Sequence, residues 1–445
     1  MPPRSLPRPV KNIMTESRHI SINVPVLARV EGEGALELNI RDNLIEDLKL
    51  RIYEPPRLFE KFLEGRSYHE VPDIVARICG ICPVAYQMSA VHAIEQVFSC
   101  DPGPWVRAMR RVMYCGEWIE SHSLHIHLLA APDFLGYTSA PDMARDYPGE
   151  VRRGLRLQAL GNEIISLCGG RSVHPVGVRV GGFHHAPAMG EVVKLREKLQ
   201  AALNEAKELI FWTASLGLDD NPLPFTSVAL CHSDEYPMNE GRLVSSSGLD
   251  CAIEEFEKYI VEHQVAHSTA FHALLKGKPY LVGPLARMNL NMARLPHEVV
   301  QVVHKTGITF PSQNMFHSIV ARAVEIYYAL TEAIRILEDY KIPESPCVEV
   351  MPRNGVGYGC TEAPRGLLWH RYELNKNGEV IKAVIVPPTS QNQARIEEDL
   401  EKSLETYGVD RSDDDIRLYS EKIIRNYDPC ISCSTHFLKV NIQRQ

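Results

Sequence analysis

"RICGICP", residues 77–83, and "DPCISCSTH", residues 428–436, each carry a Cys-x-x-Cys, and the second pair begins 351 positions after the first. The two-residue spacing lets one short turn aim both sulfurs at the same point, so each pair can serve a metal or a redox dithiol. A zinc ribbon brings its halves together within about 15–20 residues. A thioredoxin-type dithiol needs one pair in a βαβ setting, which this sequence lacks. A single site of four thiolates, built by both ends of the chain, accounts for both pairs. Such a set suits soft or borderline metals and is complete only once the fold has closed. A long-range four-cysteine zinc site and unrelated core or redox cysteines stay open beside it.

The chain has 445 residues, 44% of them hydrophobic and 23% charged, the composition of a soluble globular protein with a sizeable core. Its formal net charge is −8, from 48 Lys+Arg against 56 Asp+Glu, which argues against a nucleic-acid partner. No apolar run approaches the ~18 residues of a membrane span. The first residues are basic but have no apolar stretch behind them, so no secretory signal is expected and the cytoplasm is the expected location. Eleven cysteines, an odd number spread over a long chain, do not describe a disulfide-stapled domain.

Residues 1–17 are rich in Pro and Arg and are expected to form a flexible arm. From 18 to 54 the pattern alternates: Leu36, Leu38 and Ile40 share one face, Asp42-Asn43 offers a turn, and Leu48, Leu50 and Ile52 share a face again. After Pro83 the period becomes helical, with Met88, Val91, Ile94 and Val97 on one side. Residues 105–130, 191–217, 249–275 and 314–339 read as longer helices. Residues 366–387 return to strand around a turn at "NKNG", and 392–426 read as a last helical stretch. The predicted fold is α+β and mainly helical, a central bundle of long helices with small peripheral antiparallel sheets.

These motifs resemble the two signatures of nickel–iron hydrogenase large subunits. "RVEGEG" at 29–34, "LFEKFLEGR" at 58–66, "GGRSVHP" at 169–175 and "EAPRG" at 362–366 stand in that family's order, so the resemblance covers nearly the whole chain. It implies that Cys79, Cys82, Cys430 and Cys433 bind nickel. Cys82 and Cys433 would also bridge to an iron carrying one CO and two cyanides. The implied reaction is reversible, heterolytic oxidation of H2. Arg365 matches the arginine that hangs over the metals, and Glu31 the glutamate that relays a proton from Cys430. Read alone, Arg365 is part of a turn and Glu31 a solvated hairpin charge.

Glu60, the backbone carbonyl of Val384, and His436 match the ligands of a buried magnesium or other hard cation. Read alone, Glu60 is an ordinary helix-surface residue, and His174 a buried structural histidine. Two departures stand out. Tyr86 falls where many relatives carry His, and Pro388 falls where many carry a Ser or Thr that contacts a cyanide. Among Pro387, Pro388 and Thr389, the contact then passes to Thr389, to Ser390 or to a backbone N–H. "CPVAYQMSA" and "PPTSQNQ" look most like the cytoplasmic NAD(P)-linked branch, sometimes called sulfhydrogenases. The quinone-site subunit of respiratory complex I shares this fold but lacks the metal cysteines, all four of which are present here.

The other seven cysteines show no iron–sulfur spacing, and "GVGYG" at 355–359 is not a dinucleotide fingerprint. Neither an iron–sulfur cluster nor a flavin is therefore expected on this chain. The resemblance implies a small subunit with iron–sulfur clusters, flavin and NAD(P) diaphorase subunits, and a maturation protease. That protease would remove residues 437–445, "FLKVNIQRQ", leaving a single domain over 18–436. The physical logic is that Cys430 and Cys433 must swing inward, which an uncut tail would obstruct. The purified active protein is expected to have an intact mass ending at His436; a mass that retains Phe437–Gln445 would remove cleavage from its maturation.

Overall fold

The computed structural model describes residues 19–435, so the expected arm at 1–17, His436 and the expected extension at 437–445 lie outside the described residues. Four long helices make the centre: Gly103–Leu124, Pro148–Gly169, Met189–Ser215 and Ser318–Glu338. Gly103–Leu124 packs against Pro148–Gly169 on one side and Ser318–Glu338 on another, and Met189–Ser215 closes against Ser318–Glu338. Gly103–Leu124 and Ser318–Glu338 are buried nearly all round, as helices in the middle of a bundle must be. Their buried arginines are therefore paired with carboxylates: Arg110 meets Glu95 at 2.6 Å, and Arg111 meets Glu332 at 2.6 Å.

Small antiparallel sheets surround this bundle. The first joins His19–Val24, Gly34–Arg41 and Leu44–Ile52. Its register sets Ile22 against Leu38 and Leu36 against Leu50, so the apolar face predicted from alternation is the buried one. Asp42 and Asn43 both adopt positive φ, 51° and 63°, the conformation a two-residue hairpin demands. A second three-stranded sheet joins Gly355–Ala363, Gly366–Leu374 and Val380–Val386. The helix Pro83–Phe98, which starts immediately after the first Cys pair, lies across it.

Two expectations need correction. Residues 249–275 are not one helix: they form the strand Asp250–Cys251, the short helix Phe256–Tyr259 and a hairpin of Ile260–Gln264 with Phe271–Leu275. Phe256 and Ile260 are four apart and look helical. Pairing of Ile260 with Leu275 buries both, and that tertiary contact overrides the local period. Residues 392–426 are two helices, Pro388–Tyr407 and Asp413–Asn426, parted at Gly408 and restarted by Ser412, whose hydroxyl accepts from Asp415 N. The helix Pro148–Gly169 and the sheet of Val228–Cys231, Arg242–Ser245 and Asp250–Cys251 were not foreseen.

"GVGYG" is part of the strand under helix Pro83–Phe98. A Cβ at Gly359 would sit 1.9 Å from the Ser89 carbonyl oxygen, and one at Gly357 2.0 Å from that of Ala93. The missing side chains thus let the helix behind Cys79 and Cys82 rest directly on the sheet. Gly359→Ala is expected to push that helix off its seat and cost about 1–3 kcal/mol, measured as a lowered denaturant midpoint.

Candidate metal centre

Cys82 caps the helix Pro83–Phe98, with Pro83 as its first residue, where a missing N–H costs nothing. The next two amides do have a partner: Glu117, from helix Gly103–Leu124, accepts from Val84 N at 2.6 Å and Ala85 N at 3.1 Å. The first Cys pair is thereby fixed to the bundle. The second follows helix Asp413–Asn426 through Asp428, which takes a positive φ of 56° and turns the chain inward. Cys430 then lies beside Glu31, and Ile431 N donates to the Glu31 carbonyl at 2.9 Å. Gly32 makes this approach possible, since a Cβ there would stand 2.7 Å from that of Ile431.

One side chain clips the two motifs together. Arg57 donates to the Ile78 carbonyl at 2.6 Å and to the Ser432 carbonyl. The four sulfurs converge as a result, all within 4.8 Å of one another and all buried. Cys79 stands 3.5 Å from Cys430, Cys82 3.8 Å from Cys433, and Cys430 2.7 Å from Cys433. Among the described residues no cysteine is in a disulfide. The Cys79 thiol is pulled well below its ordinary range by donation from Cys430, then Cys433 and Cys82, and the Ile81 and Cys82 amides also face its sulfur at 3.3 Å. Burial pushes the Cys430 thiol well up.

Around the tetrad the sequence-predicted residues fall as follows. Glu31 Oε2 lies 3.2 Å from Cys430 Sγ and also accepts from Ser432 N at 3.0 Å. Arg365 is buried and held by Asp428, through Nε to its carbonyl at 3.0 Å and Nη2 to its carboxylate at 3.1 Å. Burial alone would lower the guanidinium's pKa; Asp428, Cys430, Cys82 and Cys79 together raise it well above its usual value, so its charge is permanent. Thr389 Oγ1 accepts from Cys430 N at 3.0 Å, whereas Ser390 donates to Glu262 at 3.1 Å and to the Pro387 carbonyl at 3.0 Å. Pro387 caps the helix that Pro388 begins.

Glu60 accepts from Ile385 N at 2.7 Å. Val384, next to Ile385 on its strand, lines the same cavity as Glu60. Glu60 lines a cavity of about 710 Å³ with Glu257 and Glu262. Arg57 N donates to the Thr435 carbonyl, which brings the described end of the chain to the residue that precedes Leu58 and the Glu60 helix. His436 lies outside the described residues. His174 is half-buried and bonds the Ala76 carbonyl at 2.7 Å, a structural contact.

Sequence reasoning did not find what holds Arg365. Asp428 also pairs with Arg322 at 3.1 Å, Arg322 meets His122 at 3.3 Å, and His122 meets Glu325 at 2.8 Å. Arg287 then grips Glu325 with two bonds of 2.7 Å, reaches Glu362 at 3.0 Å, and donates to the carbonyls of Ala363 and Pro364. These carbonyls belong to the loop that presents Arg365. Burial would raise the Glu325 pKa, but Arg287 and His122 hold it down at about 2. Scattered single charges on separate helices carry no periodic signal, which is why the chain of pairs was invisible. Arg287→Met leaves Glu325 and Glu362 buried without a counter-charge; a loss of about 3–5 kcal/mol of stability is expected, read by denaturation, with Arg287→Lys recovering only part because it lacks the two-pronged grip.

The donor set fits a nickel–iron centre. Four buried thiols offer soft, bridging ligands. Beside them the buried donor Arg365 Nη1 has no hydrogen-bond partner among the described residues, and the buried Tyr86 hydroxyl stands against Cys433. Both lie close enough to the cysteines to feel their charge. Further small acceptors inside the tetrad would satisfy Arg365 Nη1.

Comparison with known proteins agrees with this geometry. The sequence profile described as nickel-dependent hydrogenase matches residues 57–147 and 268–436, which include both Cys pairs. The alpha subunit of sulfhydrogenase 1 from Pyrococcus furiosus is 33% identical over 95% of this chain and 99% of its own. The beta subunit of the NAD-reducing hydrogenase HoxS from Cupriavidus necator is 26% identical over 93% and 94%. A crystal structure of an NAD+-reducing [NiFe]-hydrogenase in the H2-reduced state superposes with a TM-score of 0.81 at 25% identity, over 94% of this chain and 99% of that one. A nickel–iron–selenium hydrogenase from D. vulgaris Hildenborough shares the fold, with a TM-score of 0.80 at 23% identity over 94% and 100%. The chain belongs to the nickel-dependent hydrogenases, as their catalytic large subunit.

Proposed function

We propose that Cys79, Cys82, Cys430 and Cys433 hold the nickel–iron pair, with Cys82 and Cys433 bridging to an iron that carries CO and two cyanides, and that Glu31 and Arg365 do the acid–base and electrostatic work beside it. The observation that carries this is the 3.2 Å contact between Cys430 Sγ and Glu31 Oε2 at the edge of a closed thiol tetrad. When bound, the metal pair supplies the Lewis acidity and redox capacity for heterolytic cleavage of H2. Cys430 takes the proton as a thiolate and passes it to the adjacent carboxylate. From there Ser432, whose amide faces Glu31 and whose hydroxyl donates to Glu54 at 3.0 Å, leads toward the half-buried Glu54.

Arg365 keeps a fixed positive charge over the tetrad and offers Nη1 to an acceptor there. Tyr86 offers a second donor. Thr389 accepts from Cys430 N and keeps its own hydroxyl proton to donate, which makes it the contact to a cyanide; Pro388 has no N–H, and Ser390 is engaged elsewhere. Glu60 is the oxygen ligand of a hydrated magnesium-class ion in the cavity it lines, with His436 as its partner; magnesium keeps several waters, so one carboxylate suffices. The Val384 carbonyl, on the same cavity, is the third ligand of that ion.

Two electrons leave for each H2 oxidised. The names of the NAD-reducing relatives support NAD(P) as the acceptor, reached through an iron–sulfur small subunit and flavin-bearing diaphorase subunits. No helix among the described residues is long and apolar enough to cross a membrane; with a pyridine nucleotide acceptor, the cytoplasm is the proposed place of work. Glu31→Gln keeps the shape and loses the base. It is expected to load nickel and iron normally while H/D exchange between H2 and D2O falls by about 10²–10⁴; unchanged exchange in that variant would take Glu31 off the proton route.

A further inference from the structure

Among the described residues a second group of metal-ligating side chains converges. His267, His272 and Glu397 place ligand atoms within 4.8 Å of one another. They come from three places: the bend between the strands Ile260–Gln264 and Phe271–Leu275, the second of those strands, and the helix Pro388–Tyr407. We propose that these three side chains bind one divalent zinc-class ion, which ties the hairpin to the helix that carries Thr389.

The contacts divide unevenly, and the uneven part points to a cation. Glu397 Oε1 is satisfied twice, by Leu50 N at 2.9 Å and His267 Nε2 at 2.8 Å. Glu397 Oε2 instead faces His272 Nδ1 at 3.7 Å, too far for a hydrogen bond. His272 is 5% exposed, and its Nε2 is buried with no hydrogen-bond partner among the described residues. It is the opposite ring nitrogen, Nδ1, that is turned toward Glu397 and would ligate the ion. Ligand atoms about 2.0–2.2 Å from a tetrahedral zinc stand about 3.2–3.6 Å apart. A gap of 3.7 Å between nitrogen and carboxylate oxygen is therefore nearly the separation an ion would set. Burial, then the neighbouring His267, lowers the His272 pKa to about 4, so the ring is in its neutral, ligating form.

Two imidazoles and one carboxylate from separate elements are the donor set of nitrogen–oxygen zinc sites, with a fourth position left to water. His267 is partly open, with 20% of its side chain exposed, so ion and water can reach it. Leu50 links the site to the sheet Gly34–Arg41/Leu44–Ile52, and Thr389, on the Glu397 helix, accepts from Cys430 N. An ion here therefore braces the helix that backs the thiol tetrad without taking any of its sulfurs.

The test uses nickel-loaded holoenzyme washed with a mild chelator and titrated with Zn2+. One zinc per chain is expected beyond the nickel and iron. Its X-ray absorption should show nitrogen and oxygen neighbours and no sulfur. His267→Ala is expected to weaken zinc binding at least about tenfold and to leave nickel content unchanged. His272→Gln tests the buried ligand, and if that variant does not fold, the partly open His267 still decides. Failure to take up zinc, zinc bound through sulfur, or binding unaltered in His267→Ala would each overturn the site.

Discussion

Four sulfurs from opposite ends of the sequence must be held within 4.8 Å of one another and away from water, and much of the surrounding structure meets that demand. The N-terminal pair is anchored from behind, by Glu117 on the first helical amides and by two glycines that let the helix sink onto its sheet. The C-terminal pair has no sheet of its own. It borrows one edge from the segment around Glu31, through the Ile431 amide, and a clip from Arg57, which reaches both motifs at once. Covalent order would leave the halves 351 positions apart; these few polar contacts close the distance.

Closing it buries charge. Arg365 beside the thiols is acceptable only because Asp428 answers it, and Asp428 in turn because Arg322 shares it. The chain of alternating partners runs on through His122, Glu325 and Arg287 to Glu362, every member nearly or fully buried. Taking one partner out of such a set leaves a bare charge in a dry interior, so it is rigid as well as costly. That rigidity returns to the centre, since Arg287 also holds the carbonyls of Ala363 and Pro364 that aim Arg365.

The tetrad was legible in the sequence because Cys-x-x-Cys is a local signal, and Glu31 and Arg365 because they sit in short motifs of a known family. The strand alternation of Leu36, Leu38 and Ile40 was legible for the same reason: one period, read within a few residues. The hairpin at Ile260–Gln264 was not, because Phe256 and Ile260 fit either period and only the pairing with Phe271–Leu275 decides. Arg57, Arg287 and Asp428 were missed because their meaning lies in partners at great sequence distance.

The replacement of an imidazole by Tyr86 fits the direction in which protons must leave. Burial, then Cys433, Cys82 and Cys430, lifts its hydroxyl well above the ordinary range, so it is a donor that never titrates. Its ring lies against His370, at 5.7 Å between centroids, and His370 is bonded to the Tyr372 hydroxyl at 3.0 Å. Behind the first Cys pair, burial pushes the Glu117 and Glu120 carboxyls well up, and Glu117 is already engaged by the Val84 and Ala85 amides. Arg365 cannot release a proton. Glu31 differs in position: it is half-buried, touches Cys430 Sγ, and shares Ser432 with Glu54. With a fixed donor at Tyr86 and a permanent charge at Arg365 on other flanks, the edge at Glu31 is the side on which the proposed proton route runs.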